Sequence, residues 1–151
     1  MKKIGKREFW RIIKLFDWDT EEDDDSVLAP ATNYLATLSD EEIFSFEDLM
    51  SQYLYDIDGM KYAKYVYGSD VNSYISADEF LYIRCVAVAN GKGYYDSILF
   101  GGRKLDPDLE FEALLYLPQN AWALKHGKDA SEYPHIPEPS YETFSNKELW
   151  N

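Results

Sequence analysis

The sequence contains very little cysteine and histidine. Cys85 is the only cysteine and lies in the apolar run 80–89, while His126 and His135 are the only histidines. One thiol cannot form an intramolecular disulfide, and this inventory excludes a thiolate zinc site, a Cys-x-x-Cys redox pair and a site of several imidazoles. We therefore expect no metal ion and no cofactor. We interpret Cys85 as a core residue and His126 as a complement to the negative end of its helix.

Long apolar runs are also missing. No stretch approaches the roughly 20 apolar residues that span a bilayer, and the basic start, residues 1–7, meets further charges at Glu8, Arg11 and Lys14 before a signal-peptide core could form. Together with the lone cysteine, this pattern favours a cytoplasmic protein without membrane contact. The 151 residues, 46% hydrophobic and 17% aromatic, predict a single domain over residues 1–151.

Lysine and arginine are absent from residues 15–60, although the whole chain carries 15 of them. The same segment holds half of the 28 acidic residues, namely Asp17, Asp19, Glu21, Glu22, Asp23, Asp24, Asp25, Asp40, Glu41, Glu42, Glu47, Asp48, Asp56 and Asp58. It therefore accounts for the net charge of −13. Such a field repels nucleic-acid phosphates and anionic membranes but attracts a basic protein. The alternative is that the acidic loop, residues 17–25, is ordinary solvated surface.

Helical periodicity and capping sequences predict an all-α fold. Apolar spacing predicts a first helix over about residues 7–16 and a second helix that Ser26 caps. The sequence Ser39-x-x-Glu42 is a capping box that begins a third helix, and Ser76-x-x-Glu79 is a second box that begins a helix ending at Asn90-Gly91.

Glycine and proline mark the remaining boundaries. We expect short helices over residues 60–67 and 94–100, each followed by glycine. Asp106-Pro107 predicts the start of a last long helix that is kinked at Pro118 and ends at Gly127. The proline-rich tail, residues 128–151, is expected to be extended.

The third helix has two distinct faces. Its apolar stripe, which we assign to the core, consists of Ile43, Phe46, Leu49, Met50, Tyr53, Leu54 and Ile57. The opposite face mixes acids with aromatics through Glu41, Phe44, Asp48 and Tyr55. Such a mixture is typical of a protein contact, and equally of a helix packed on both sides, in which the two aromatics meet a second layer.

No catalytic constellation is evident. The acidic loop lacks the mid-loop glycine and closing glutamate of a calcium-binding loop, and the turns at Gly91-Lys92-Gly93 and Gly101-Gly102-Arg103 do not match a phosphate-binding loop. Carboxylates are so numerous that pairing two of them for acid–base chemistry has no specificity. We therefore predict no catalytic residue.

Several short motifs resemble a widespread bacterial family of helical domains of unknown function. They are Phe9-Trp10-x-x-Ile13, Leu38-Ser39-x-Glu41-Glu42-Ile43-x-x-Phe46, the turn Gly68-Ser69-Asp70, Phe80-x-x-x-Arg84 and Gly91. The resemblance covers residues 8–127 and implies a helical bacterial protein, without implying any catalytic or binding residue. The sequence departs from the family pattern over residues 69–76, where the spacing after the turn is longer.

The function predicted from these features is that of a non-catalytic, acidic protein-binding module. In its sharpest form it is an immunity-type protein that neutralises a basic, nuclease-like toxin. The alternatives are a regulatory or scaffold protein and a carboxylate-based enzyme. The predicted partner-binding residues are Asp17, Asp19, Glu21, Glu22, Asp23, Asp24, Asp25, Glu41, Phe44, Asp48 and Tyr55.

Overall fold

The computed structural model of the chain describes residues 2–20, 23–68 and 74–151. All regular secondary structure in these residues is helical, which confirms the predicted all-α class. The α-helices are α1 (Lys6–Ile13), α2 (Asp24–Leu35), α3 (Asp40–Asp56), α4 (Met60–Tyr67), α5 (Ala77–Ala89), α6 (Lys92–Leu99), α7 (Leu117–His126) and α8 (Lys147–Trp150). Two 3-10 segments occupy Glu112–Tyr116 and Ala130–Glu132. None of the described helices is long and apolar enough to cross a bilayer.

The chain divides into two compact units. The first consists of Met1–Leu49 and Ala113–Pro137, and the second consists of Met50–Glu112 and Glu138–Asn151. Each unit is formed by two stretches that are distant in sequence. The part of the chain after residue 112 therefore contributes one segment to each unit. The single domain expected from chain length stays a prediction.

In the first unit, α1, α2, α7 and the N-terminal part of α3 supply the core. Phe9 of α1 is fully buried and its ring lies 4.8 Å from that of Phe46 of α3. Helix α2 contacts both α1 and α7, and it buries Leu28, Ala31 and Leu35 at helical spacing. This spacing leaves the opposite side of α2 in solvent.

In the second unit, α5 is the central helix. Nine of its residues are buried, including Phe80, Arg84 and Cys85, so it lacks a solvent-facing polar stripe. Helix α6 packs against α5, and α8 packs against α4. Burial raises the pKa of the Cys85 thiol to about 12, so Cys85 is an inert core residue, as predicted.

One predicted helix cap is correct, and another lies at a different residue. Ser39 and Glu42 form the predicted box, because the Glu42 amide donates to Ser39 Oγ and the Ser39 amide donates to Glu42 Oε1, both at 3.1 Å. The prediction that Ser26 caps α2 is wrong. Asp23 caps this helix by accepting a hydrogen bond from the Ser26 amide at 2.8 Å. An aspartate three residues upstream therefore takes the role, since both residue types serve as N-caps.

The second box is only half formed. Ser76 Oγ accepts a hydrogen bond from the Glu79 amide at 3.3 Å and caps α5. The Glu79 carboxylate does not return to the Ser76 backbone but accepts a hydrogen bond from the Tyr67 hydroxyl. Part of the predicted Gly68-Ser69-Asp70 turn lies outside the described residues.

The predicted long helix from Asp106 is wrong. The Asp106 carboxylate accepts a hydrogen bond from the Asp108 amide at 2.9 Å, which closes a local turn instead of opening a helix. The helix proper begins at Leu117, so Pro118 lies in its first turn and introduces no kink. Gly127 ends α7 as predicted, with a left-handed φ of 62°. The tail is mainly irregular, although it includes the 3-10 segment Ala130–Glu132 and the terminal helix α8.

Candidate functional site

The first residues of the acidic loop, 17–19, lie against the start of α2. The Asp17 amide donates to the Val27 carbonyl at 2.8 Å, and the Asp19 amide donates to the Asp17 carboxylate at 3.1 Å. Asp24 and Asp25 lie in the first turn of α2, where the helix dipole favours negative charge. The contacts bring together a group that we name the acidic surface, which consists of Asp17, Trp18, Asp19, Asp23, Asp24 and Asp25.

The aspartates of the acidic surface are exposed and carry uncompensated charge. None of the five forms an ion pair with a lysine, arginine or histidine in the described part of the chain. Hydrogen bonds from Ser26 hold the pKa of Asp23 below its ordinary value of 3.8, so its cap is charged at neutral pH. Glu21 and Glu22, which were predicted to belong to the same surface, lie outside the described residues.

Trp18 is the member of the surface that sequence reasoning missed. Its side chain is 50% exposed between Asp17 and Asp19, and its ring packs edge-on against Phe16 at 6.1 Å. A large aromatic among exposed acids provides contact area that charge alone does not provide. The signal for it is the tryptophan between two acids in the sequence Asp17-Trp18-Asp19.

In the first unit, the mixed face of α3 packs against the segment that follows α7. Phe44 stacks on the His135 ring at a centroid distance of 4.8 Å and meets the Tyr133 ring edge-on at 5.6 Å. His135 Nε2 lies 2.8 Å from Asp48 Oδ1. Phe44 and Asp48 thus contact other parts of the same chain, which matches the interpretation of a helix packed on both sides. The remaining acid of the mixed face, Glu41, accepts a hydrogen bond from the Lys2 amide at 3.1 Å.

Tyr55, the fourth residue predicted on this face, belongs to the second unit. Its side chain is partly exposed and lines a pocket of about 480 Å³ with Asp56, Leu99 and residues 145–149. Its carbonyl accepts a hydrogen bond from the Asn146 side chain at 2.9 Å. The backbone of Tyr55 therefore holds the C-terminal segment, and the residue also lines the pocket.

Glu47 is a buried carboxyl next to the Phe44 contact. It is 6% exposed, and the Tyr133 hydroxyl donates to its Oε1 at 3.0 Å. The pKa of Glu47 is raised from 4.5 to about 7, because burial and, less strongly, the charge of Asp48 outweigh the Tyr133 hydrogen bond and the interaction with His135, which lower it. Burial beside Glu47 also raises the pKa of Tyr133. Glu47 was not predicted as a site residue.

A second polar cluster joins α3 to the end of α7. Asp40, in the first turn of α3, lies 2.7 Å from Lys125 Nζ and 2.8 Å from His126 Nε2. Burial opposes ionisation of Asp40, but hydrogen bonds and charge from Lys125 and His126 hold its pKa below 3.8. His126 thus lies at the C-terminal end of its helix, as predicted, and it also contacts a carboxylate.

In the second unit, an arginine and an aspartate are both fully buried. Arg84 Nη2 lies 3.9 Å from Asp58 Oδ1, while its Nη1 donates to the Leu54 carbonyl at 2.9 Å. The two side chains have 0% exposure, and burial lowers the pKa of Arg84. Sequence reasoning missed the pair, although an arginine within the apolar helix α5 indicates that a buried counter-charge must be nearby.

Two further pockets lie in the first unit. One of about 360 Å³ is lined by Lys2, Lys3, Ile4, Gly5, Glu8, Tyr34, Leu38 and Glu42. The other, of about 170 Å³, is formed by Asp25, Leu28, Ala29, Thr32 and Asn33 of α2 and by Asn120 of α7. Glu47 lines none of these pockets. Over the described ranges no group of three or more His, Cys, Asp or Glu side chains is arranged to hold a metal ion.

Comparison with known proteins identifies a family but no characterised relative. The sequence pattern of the family described as "Protein of unknown function (DUF4240)" matches residues 4–123. Comparisons with curated proteins and with solved structures found no match.

Proposed function

We propose that the chain, which belongs to the DUF4240 family of proteins of unknown function, is a non-catalytic module that binds a basic protein through the acidic surface. The observation that carries this proposal is the group of five exposed aspartates around a half-exposed Trp18. The hydrogen bond between the Asp17 amide and the Val27 carbonyl attaches Asp17 to α2. Charge and aromatic area are therefore presented together on a structured element.

Electrostatics favours this class of partner over the others. Residues 15–60 contain no lysine or arginine, so no cation within that segment offsets the charge of the acidic surface. Such a field raises the rate at which a basic protein is encountered, while it opposes the approach of nucleic acid. A half-exposed tryptophan suits the slow-dissociating part of the contact, because buried aromatic anchors dominate the energies of protein interfaces.

The sharper form of the proposal is an immunity-type protein that neutralises a basic, nuclease-like toxin. Binding of an acidic surface to the cationic substrate groove of a nuclease would block the access of phosphates. The alternative form is a regulatory or scaffold protein. Co-expression distinguishes them, because an immunity protein abolishes the activity of a nuclease partner and a scaffold leaves the partner active.

A carboxylate-based enzyme is the second candidate, and Glu47 is the observation that favours it. A carboxyl group whose pKa is about 7 can exchange a proton at neutral pH. However, Glu47 is buried and borders none of the three pockets described above. None of these three pockets brings a substrate to its proton, which favours the binding module.

The test of the proposed function is the association rate with a purified basic partner protein at low and high salt. In the first variant all five described aspartates of the acidic surface are changed to asparagine, which also caps helices and so preserves the role of Asp23. We expect association to slow about tenfold at low salt and the salt dependence to flatten, because long-range steering is lost.

A matched control removes the same charge elsewhere. It carries five exposed replacements in the second unit, namely Asp78→Asn, Asp108→Asn, Glu110→Gln, Glu142→Gln and Glu148→Gln. If both variants slow association equally, net charge alone acts and the acidic surface is not the docking site. If neither slows it, the whole proposal fails.

A further inference from the structure

The small pocket between α2 and α7 has the size of one side chain. Its volume is about 170 Å³, below the range of about 300–1,000 Å³ that is usual for small-molecule sites. Asp25 is common to the pocket and to the acidic surface. A protein partner that docks on the acidic surface therefore reaches the mouth of the pocket.

The rim of the pocket offers polar side chains that the fold does not use. Asp25, Asn33 and Asn120 make no side-chain hydrogen bond or ion pair with any residue in the described parts of the chain. Thr32 is different, because its hydroxyl donates to the Leu28 carbonyl at 3.1 Å and retains only acceptor capacity. One carboxylate residue and two asparagines thus line the same small pocket.

The wall of the pocket is apolar. Leu28 is 3% exposed and belongs to the core, whereas Ala29 presents its methyl group towards solvent. A ligand that suits this pocket combines an aliphatic stem with several hydrogen-bond donors. Among protein side chains, arginine fits best, because its planar guanidinium carries five donors and is weakly hydrated, while lysine carries three donors on one strongly hydrated nitrogen.

We propose that this pocket receives an arginine side chain of the basic partner, with the guanidinium donating to Asn33 and Asn120, the carboxylate of Asp25 attracting its charge, and the stem lying on Leu28 and Ala29. The inference rests on the proposed function and specifies its partner: arginine, and not positive charge in general, is recognised. The acidic surface supplies attraction from a distance, and the pocket supplies the choice of side chain.

The experiment compares hexa-arginine and hexa-lysine peptides of equal charge, titrated into the intact protein by calorimetry at low salt. We expect hexa-arginine to bind about tenfold more tightly, since each hydrogen bond to a charged group is worth about that factor. The double variant Asn33→Ala/Asn120→Ala should remove this preference and leave hexa-lysine binding unchanged. Gln119→Ala, next to Asn120 on α7 but not lining the pocket, is the control and should keep the preference.

Trp18 provides a second arm, because arginine also stacks on aromatic rings. We expect Trp18→Ala to weaken both peptides and to retain the preference for arginine. If the preference disappears in Trp18→Ala and survives in the asparagine double variant, the pocket proposal is overturned. Equal binding of both peptides to the unmodified protein overturns it as well, while the proposed function stands. Absent binding of both peptides at low salt overturns the proposed function itself.

Discussion

The Tyr133 hydroxyl donates a hydrogen bond of 3.0 Å to Glu47 Oε1, and the two residues are 86 positions apart in the chain. The bond attaches the segment after α7 to the buried side of α3. Tyr133 is supported there by ring contacts with Phe44 and Trp122 at 5.6 and 6.0 Å. A titratable carboxyl group thus lies where the segment after α7 packs against α3 within the first unit.

We predict that Glu47 makes the stability of the protein fall as the pH rises through neutrality. Its folded-state pKa of about 7 lies above the ordinary 4.5, so its contribution is complete below pH 4.5 and is lost as pH rises through about 7. The difference corresponds to about 3 kcal/mol in the free energy of unfolding. Glu47→Gln should abolish this loss and be more stable than the unmodified protein at pH 8. Urea unfolding at pH 5, 6, 7 and 8 measures it, and parallel pH curves for the two proteins would contradict the prediction.

A second prediction concerns the partner of this carboxyl group. Tyr133→Phe removes a hydrogen bond that favours the ionised form of Glu47, so the pKa of Glu47 should rise further. The loss of stability should grow with pH, from about 1 kcal/mol at pH 5 to about 2–3 kcal/mol at pH 8, since a bond to a charged acceptor is stronger. In a Glu47→Gln background the cost should be the same at both pH values. A cost independent of pH in both backgrounds would show that the two groups are not coupled.

The local elements were predictable from sequence, and the long-range polar contacts were not. The Ser39-x-x-Glu42 box and the stripe that includes Ile43 and Phe46 predict α3 correctly because both signals depend on neighbours along one helix. Glu47 lies within the same helix, yet its burial depends on Tyr133 from a distant segment. Helical periodicity carries no information about such a partner.

The candidate site divides in the same way. The charges of the acidic surface could be read directly from the sequence, whereas its geometry depends on Asp23, not Ser26, as the cap of α2. The pocket beside Asp25 could not be predicted, because Asn120 reaches it from α7. The helix containing Asn120 was itself predicted to begin at Asp106, where a local turn prevails.

The third prediction concerns Asp58, which organises the end of the chain in the second unit. Its carboxylate accepts hydrogen bonds from the Phe144 and Asn146 amides, both at 3.1 Å, and from Trp150 Nε1 at 2.9 Å, besides lying near Arg84. Asp58→Ala leaves a buried cation and three donors without this acceptor, and should cost about 3–5 kcal/mol. Chemical denaturation measures the loss, and limited proteolysis should show earlier cleavage in residues 138–151.

A control separates the buried pair from a general effect of losing a carboxylate. Asp108→Ala removes an exposed acid in the same unit and should change stability by no more than about 0.5 kcal/mol. Arg84→Met, which fills the space without charge, should cost less in an Asp58→Asn background than alone, because the buried charge is then not left unpaired. Additive costs would show that Arg84 and Asp58 act independently.

The last prediction concerns Gly59, which precedes α4 and contacts α8. Its φ of −169° is extended backbone that any residue adopts, so the glycine is needed for space and not for conformation. A Cβ atom at this position would lie 2.5 Å from the Leu149 Cβ and 3.0 Å from the Leu149 carbonyl oxygen. Gly59→Ala should therefore displace α8 and cost about 1–3 kcal/mol in the free energy of unfolding, as overpacking usually does.

Gly93→Ala, in α6 with nothing within 4 Å of the added Cβ atom, is the matched control and should raise stability by about 0.5–1 kcal/mol. Thermal unfolding of both variants decides: an unchanged melting temperature for Gly59→Ala would mean that α8 does not press on Gly59, while a deletion of residues 147–151 should make the same substitution harmless.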